Sequence, residues 1–201
     1  MVYDPQKHHR RSIRLKGYDY SQQGAYFVTI CTKDRQCFFG EVVDGRMVLN
    51  DAGNMINRWV MELPNKFSDI ECDVSQVMPN HFHAIIINNG NPAGADPCVG
   101  PNNTSDASFS TNNSATELLG EHKGSPLYRV IQWFKTMTTN EYIRGVKNAG
   151  WPEFNGKLWQ RNYWEHIIRD QKSYDRIAQY IISNPANWDK DQLNGVDKGP
   201  N

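Results

Sequence analysis

The stretch Met78-Pro79-Asn80-His81-Phe82-His83-Ala84-Ile85-Ile86-Ile87 decides how this chain is read. A Pro79-Asn80 turn signal leads into an apolar run of strand length. On a strand, residues i and i+2 share a face while i+1 takes the other. Both imidazoles therefore project from one sheet face, with Phe82 buried behind them. Two imidazoles on a rigid strand are a ready pair of metal ligands. They are also compatible with two polar residues at a strand start, so the meaning of the pair depends on what the rest of the chain brings to it.

Working outward, Ile70–Met78 partly alternates and reads as a strand, which makes a tight β-β unit with the histidine strand. Upstream, residues 24–32 (GAYFVTICT) form a strand rich in β-branched and aromatic residues. Residues 37–43 and 47–49 flank Asp44-Gly45, a strong hairpin signal. Asn50 or Asp51 can cap a helix carrying Met55, Ile56, Trp59, Val60 and Leu63 at helical spacing, and Pro64 ends it. Downstream, Ser125-Pro126 is a cap followed by a first-turn proline. The helix over 127–144 places Val130, Ile131, Phe134 and Met137 on one face, with Lys135 toward the other. Residues 157–169 form a last, aromatic strand region. A final helix over about 171–183 carries Tyr174, Ile177, Ala178 and Ile181 as its core stripe, and Pro185 stops it.

The order β, hairpin, α, β-β, α, β, α predicts an α+β fold of ferredoxin-like or RRM-like type, an antiparallel sheet with helices packed on one face. The His-x-His unit falls on a central strand and Tyr180 on the C-terminal helix. Residues 21–188 read as a single domain, with a basic arm over 1–20 and a flexible tail over 189–201. From 88 to about 124 the composition collapses into Asn, Gly, Ser, Thr, Ala and Pro, a disordered or loop insertion that cannot bury a core.

At 201 residues the chain can build one core of ordinary size. Its hydrophobic content of 38% and mean hydropathy of -0.70 are low for a compact domain, and the polar insertion accounts for the deficit. No apolar stretch approaches the ~18 residues of a membrane helix. The N-terminus, Met1-Val2-Tyr3-Asp4-Pro5, has no segment like a signal peptide. Cys31, Cys37, Cys72 and Cys98 lack zinc spacing, which points to free thiols in a cytoplasmic protein. Lys and Arg number 22 and Asp and Glu 22, so net charge does not advertise nucleic acid. Distribution says more: Lys7, Arg10, Arg11, Arg14 and Lys16 cluster in the arm, and Lys157, Arg161, Arg169, Lys172 and Arg176 form a second mixed basic segment.

Tyr180 and Asn184 are four apart, one above the other on the last helix. Tyr180 lies roughly 110° from the centre of the apolar stripe, at about 100° per residue, so it sits on the flank. One reading is a boundary tyrosine and a capping asparagine. The other joins them to His81 and His83. Two neutral imidazoles and an amide oxygen can hold a divalent cation with positions left open, and the cation would act as Lewis acid on a phosphate. Tyr180 would then stand beside that phosphate as a nucleophile. Oxygen-rich shells favour Mg2+, and imidazoles shift the balance toward Mn2+.

Residues 78–86 (MPNHFHAII) resemble the His-hydrophobic-His motif of single-tyrosine HUH transposases. Residues 158–169 (LWQRNYWEHIIR) with 179–185 (QYIISNP) resemble the second signature of the REP-associated tyrosine transposases, and residues 11–20 and 24–32 resemble that group's N-terminal region. The similarity runs from about residue 10 to 188, apart from the insertion. It implies a transposase-like catalytic domain that nicks and rejoins single-stranded DNA at hairpin or palindromic repeats. By that resemblance His81, His83 and Asn184 hold the metal. Tyr180 forms a 5′-phosphotyrosine link and releases a 3′-hydroxyl, without ATP. The group is expected to work as monomers, although related transposases exchange the tyrosine helix between subunits, and to act in the bacterial cytoplasm on the nucleoid.

Arg10, Arg11, Arg14, Lys135, Gln160, Arg161 and Arg169 are candidate DNA contacts. Trp159, Tyr163 and Trp164 can stack on unpaired bases or pack in the core, and His166 reads as structural rather than as a further ligand. Two other functions compete. One is a hairpin-binding module without catalysis; the other is a hydrolytic metalloenzyme in which water attacks instead of Tyr180.

Overall fold

The structure is a computed structural model, and it describes residues 22–90 and 125–194. The arm with Arg10, Arg11 and Arg14 and nearly all of the insertion lie outside those residues. The elements, in chain order, are β1 (Gly24–Cys31), the hairpin β2 (Gly40–Val43) and β3 (Arg46–Leu49), α1 (Asp51–Met61), the short α2 (Leu63–Lys66), β4 (Ile70–Met78), β5 (His81–Asn88), α3 (Pro126–Ala149), β6 (Trp164–Ile168) and α4 (Gln171–Ser183). A 3-10 segment, Pro185–Lys190, follows α4.

β4, β5, β1 and β6 form one four-stranded sheet in that order, every neighbouring pair antiparallel. This is the ferredoxin-like arrangement expected from the element order, with β1 and β5 central. The β2–β3 hairpin stands apart as its own two-stranded ribbon. Its Asp44 and Gly45 both take positive φ, 49° and 71°, as a two-residue turn of right-handed twist requires.

Local sequence chemistry sets the helix ends. The Asn50 side chain accepts from the Gly53 N–H at 2.9 Å and opens α1. Ser125 caps α3 ahead of Pro126, and Gly150, at φ 69°, closes it in the left-handed conformation. Asp170 caps α4 through the Ser173 N–H at 2.7 Å. Pro64 does not end α1; it falls in the first turn of α2. Pro185 likewise starts the 3-10 segment that turns the chain back toward the sheet.

Alternate residues of the strands feed two separate cores. Tyr26, Val28, Ile30, Phe82, Ala84 and Ile86 pack with Met55, Ile56 and Val60 of α1 and Val130, Ile131 and Phe134 of α3. At the centre Phe82 stacks on Phe134 at 5.2 Å. On the opposite face, Phe27, Ile85 and Ile168 pack with Ile177 and Ile181 of α4. The crossover helices α1 and α3 thus share one face, but α4 takes the other, which corrects the expectation that the helices pack on one face. Its apolar stripe covers Phe27, Ile85 and Ile168, and a stripe alone does not specify which side of a sheet it meets.

Lys135 departs from the expectation that it faces away from the core. It is buried, and its ammonium donates to the main-chain carbonyls of Gln160, Asn162 and Arg161 at 3.0, 3.2 and 3.5 Å. Helical spacing placed it toward the face opposite the core stripe; what draws it in is a loop whose carbonyls need a donor. Burial lowers its pKa to about 8. Cys31, Cys37 and Cys72 are free thiols. Among the described residues no helix is long and apolar enough to cross a membrane.

Candidate active site

The Pro79-Asn80 turn that launches β5 is clamped by main-chain bonds. The Pro79 carbonyl accepts from the N–H groups of Phe38 and Phe39, at 2.9 and 3.1 Å, and the Asn80 carbonyl accepts from the Thr32 N–H at 2.9 Å. From this fixed start His81 and His83 point to the α4 face, while Phe82 enters the opposite core. Both rings are fully buried, and their Nε2 atoms approach to 3.0 Å. Behind them His83 Nδ1 lies 2.9 Å from Thr29 Oγ1, its cross-strand partner on β1, and His81 Nδ1 lies 2.8 Å from Asn80 Oδ1. Burial drives both rings toward the neutral form: it brings His81 to about 4, against the opposing pull of the Asp191 carboxylate and the Asn184 amide. Burial likewise holds His83 well below the ordinary imidazole range, with His81 adding to the effect. Neutral imidazoles keep a lone pair for a ligand.

The C-terminal end of α4 reaches this pair. Tyr180 meets the His83 ring edge-on at 5.4 Å and the Phe27 ring at 5.9 Å, and its side chain remains 44% exposed. That exposure leaves the phenol edge of the site open to solvent, while the histidines beside it are closed off. Burial on one side, and then the Asp191 carboxylate, raise the phenol pKa, while Asn184 beside it pulls the other way. One turn on, Asn184 is buried, and its Nδ2 donates to Asp191 Oδ2 at 3.1 Å. Its Oδ1 is buried without a hydrogen-bond partner. An amide oxygen left bare in the interior is costly unless something else is meant to meet it.

Asp191 was not foreseen, because the tail was expected to begin at 189. The 3-10 segment and residues 191–194 instead fold back over the histidines. Arg35 donates to the Gln192 carbonyl at 2.7 Å, Asn80 donates to that of Leu193 at 2.8 Å, and the Trp188 ring lies 5.9 Å from His81. The ligand atoms of His81, His83 and Asp191 lie within 4.8 Å of one another. Trp188 and Pro185 were the available sequence signals that this segment packs.

A divalent cation fits this donor set. Two neutral imidazoles and a carboxylate converge. The Asn184 amide is tied to that carboxylate and its own oxygen is buried without a partner, and nitrogen with oxygen donors suits Mg2+ or Mn2+ chemistry. His166 is outside the cluster, on the exposed edge of β6, where it stacks on Trp164 at 5.9 Å. Of the aromatic candidates, Trp159 is core, its Nε1 donating to Thr138 Oγ1 at 2.9 Å. Tyr163 packs against that core under Lys135, 5.5 Å from its ammonium. Trp164 is exposed beside Phe27, on the Tyr180 side of the sheet. Arg161 and Arg169 are exposed and Gln160 is half-buried.

No family model matches the chain. A protein of Haemophilus influenzae, itself uncharacterised, is 36% identical over 189 residues, 92% of this chain and 93% of its own length. The chain belongs to that protein's family. Among solved structures, this family member is similar to a REP-associated tyrosine transposase bound to a REP hairpin, with a TM-score of 0.50, 18% identity, and coverage of 89% of this chain and 72% of the other. Its fold is that of the REP-associated tyrosine transposase, as the sequence motifs led us to expect. A candidate transposase from Deinococcus radiodurans R1, covering 85% of this chain and 96% of its own, aligns at 13% identity and a TM-score of 0.43, too remote to argue from.

Proposed function

We propose that this protein is a metal-dependent, single-tyrosine nickase and strand-transferase acting on single-stranded DNA at hairpin or repeat sequences. The observation that carries the reading is the meeting of two elements far apart in sequence. Tyr180 and Asn184, one turn apart on α4, stand over His81 and His83 on β5, with the phenol open to solvent. His81, His83 and Asn184 would hold Mg2+ or Mn2+, with the Asp191 carboxylate beside them. When bound, that ion supplies Lewis acidity to a phosphate oxygen.

The chain's own groups supply the rest. Tyr180 Oη gives up its proton and attacks phosphorus; the new O–P bond forms as the bond to the 3′-oxygen breaks, and that oxygen takes a proton and leaves as a 3′-hydroxyl. One phosphodiester becomes a 5′-phosphotyrosyl ester, so the step is reversible and strands can be rejoined. Asn184, its Nδ2 tied to Asp191, presents the opposite edge of the amide as a ligand edge. Exposed Trp164, beside Phe27, offers an unpaired base a stacking surface next to the phenol. Gln160, Arg161 and Arg169, together with Arg10, Arg11 and Arg14 in the arm, are the proposed phosphate and hairpin contacts. Gln160 and Arg161 adjoin the histidine end of β1, where the Gln160 N–H bonds to the Cys31 carbonyl at 2.9 Å. Lys135 belongs to the loop it ties and drops out of that set. Because α4 packs on its own sheet, the reading favours a monomer with its tyrosine in cis, and a cytoplasmic setting.

The test incubates labelled hairpin-bearing single-stranded DNA with the protein and Mn2+ and resolves the products under denaturing conditions. A covalent protein–DNA species that Tyr180→Phe abolishes is the expected result. Cleavage that persists in Tyr180→Phe assigns attack to water, and binding without cleavage leaves a hairpin-recognition module.

A further inference from the structure

The two hydrogen bonds beneath the histidines differ in kind. Asn80 Nδ2 donates to two main-chain carbonyls, of Arg35 at 3.1 Å and of Leu193 at 2.8 Å. Carbonyls only accept, so a flipped amide would set its oxygen against both. The oxygen is therefore held toward His81, 2.8 Å from Nδ1. An amide oxygen also only accepts, so His81 Nδ1 carries the proton and the lone pair of this neutral ring sits on Nε2.

His83 has a partner of the other type. Thr29 Oγ1, 2.9 Å from Nδ1, can donate or accept. What decides is the contact between the rings: with a bare Nε2 on His81, the proton in the 3.0 Å Nε2–Nε2 hydrogen bond belongs to His83. His83 Nδ1 is then bare and accepts from the Thr29 hydroxyl. The two rings of one motif hold opposite tautomers.

We propose that Asn80 and Thr29 are positioning residues that prepare the pair for a cation by different means. Asn80 locks His81 in the form that presents its Nε2 lone pair. Thr29 allows His83 to change to that same form when the cation enters. In the change the proton leaves Nε2 and one is gained at Nδ1, so none is released overall, and the Thr29 hydroxyl rotates from donor to acceptor. This inference rests on the reading of His81 and His83 as cation ligands.

The test is a long-range 1H–15N correlation spectrum of the full chain with 15N-labelled histidine, first metal-free and then with Cd2+, a diamagnetic probe. The metal-free protein should show His81 protonated on Nδ1 and His83 on Nε2, and Cd2+ should bring both to the Nδ1–H pattern. Thr29→Val should weaken Cd2+ binding roughly tenfold or more, and Thr29→Ser should restore it. Asn80→Ala should release His81 into a mixture of tautomers. A metal-free wild type with His81 protonated on Nε2 overturns the proposal without any variant, and so does Thr29→Val binding Cd2+ like wild type. A protein that shows the expected metal-free pattern yet takes no Cd2+ confirms the lock and contradicts the switch, and with it the cation site.

Discussion

β1 and β5 divide their residues between two faces that serve different ends. Toward α1 and α3 they send Tyr26, Val28, Ile30, Phe82, Ala84 and Ile86, an unbroken apolar layer covered by two long helices. Toward α4 the same strands send Phe27, Thr29, His81, His83 and Ile85, polar groups set among a smaller apolar cluster. The period-2 alternation of a strand makes this division possible within a single motif: Phe82 anchors the strand from behind while its two neighbours stand in the site. The comparison teaches that stability and chemistry are held by interleaved residues on opposite faces. A substitution on one face can therefore be read against one on the other.

The largest expected contrast is between Tyr180 and Phe82. Tyr180→Phe should remove all covalent DNA product, seen on a denaturing gel, while the half-exposed ring it keeps leaves the denaturation midpoint within about 0.5 kcal/mol of wild type. Phe82→Ala should lower unfolding free energy by about 3–5 kcal/mol in urea titrations, yet the folded fraction should still form adduct. Equal losses of stability in the two variants would break the division of faces.

Lys135 sharpens the comparison, because it is a charged residue on the stability side. Lys135→Met, which leaves three loop carbonyls without their donor, should cost about 2 kcal/mol. The cost should also depend on pH. The folded pKa, about 8, lies below the ordinary 10.5 of the unfolded chain, so the unfolded state binds more protons between those values. Wild type should therefore gain stability relative to Lys135→Met as pH rises from 8 to 10.5, by at most about 3 kcal/mol, read from paired urea titrations.

The histidine face should respond to acid instead. Burial keeps His81 near 4 in the folded protein against an ordinary 6.5, and His83 moves in the same direction. The stability tied to these neutral rings is complete above 6.5 and is lost as pH falls from there toward 4. The metal-free protein should lose stability across that window, and His81→Gln should lose less, as measured by urea midpoints at pH 7.5 and 4.5. The smallest effect belongs to the rim: Trp164→Ala should weaken single-stranded DNA binding by about 1 kcal/mol in fluorescence titrations and leave stability nearly unchanged.

The alternation in residues 81–87, the apolar spacing of the helices and the Asp44-Gly45 turn made the sheet, its neighbours and the hairpin legible, because those signals are local. The pairing of His81 and His83 with Tyr180 and Asn184 was legible through periodicity, joined by a family resemblance. Lys135 was misplaced because its burial answers to carbonyls in the loop at 160–162, a contact that helical spacing does not encode. Asp191 was missed for a similar reason. Nothing in residues 189–194 says that Asn80 and Arg35, more than 100 positions earlier, will hold their carbonyls. The seat of α4 on the second face was hidden too, since an amphipathic stripe does not say which side of a sheet it covers.

The central claim is that Tyr180 becomes covalently joined to DNA. The direct measurement is peptide mass mapping after nuclease trimming of protein incubated with hairpin single-stranded DNA and Mn2+. The account predicts a nucleotide mass added through phosphate to the peptide that carries Tyr180, and to no other. A nucleotide on a different residue, or cleaved DNA with every peptide unmodified, would contradict it.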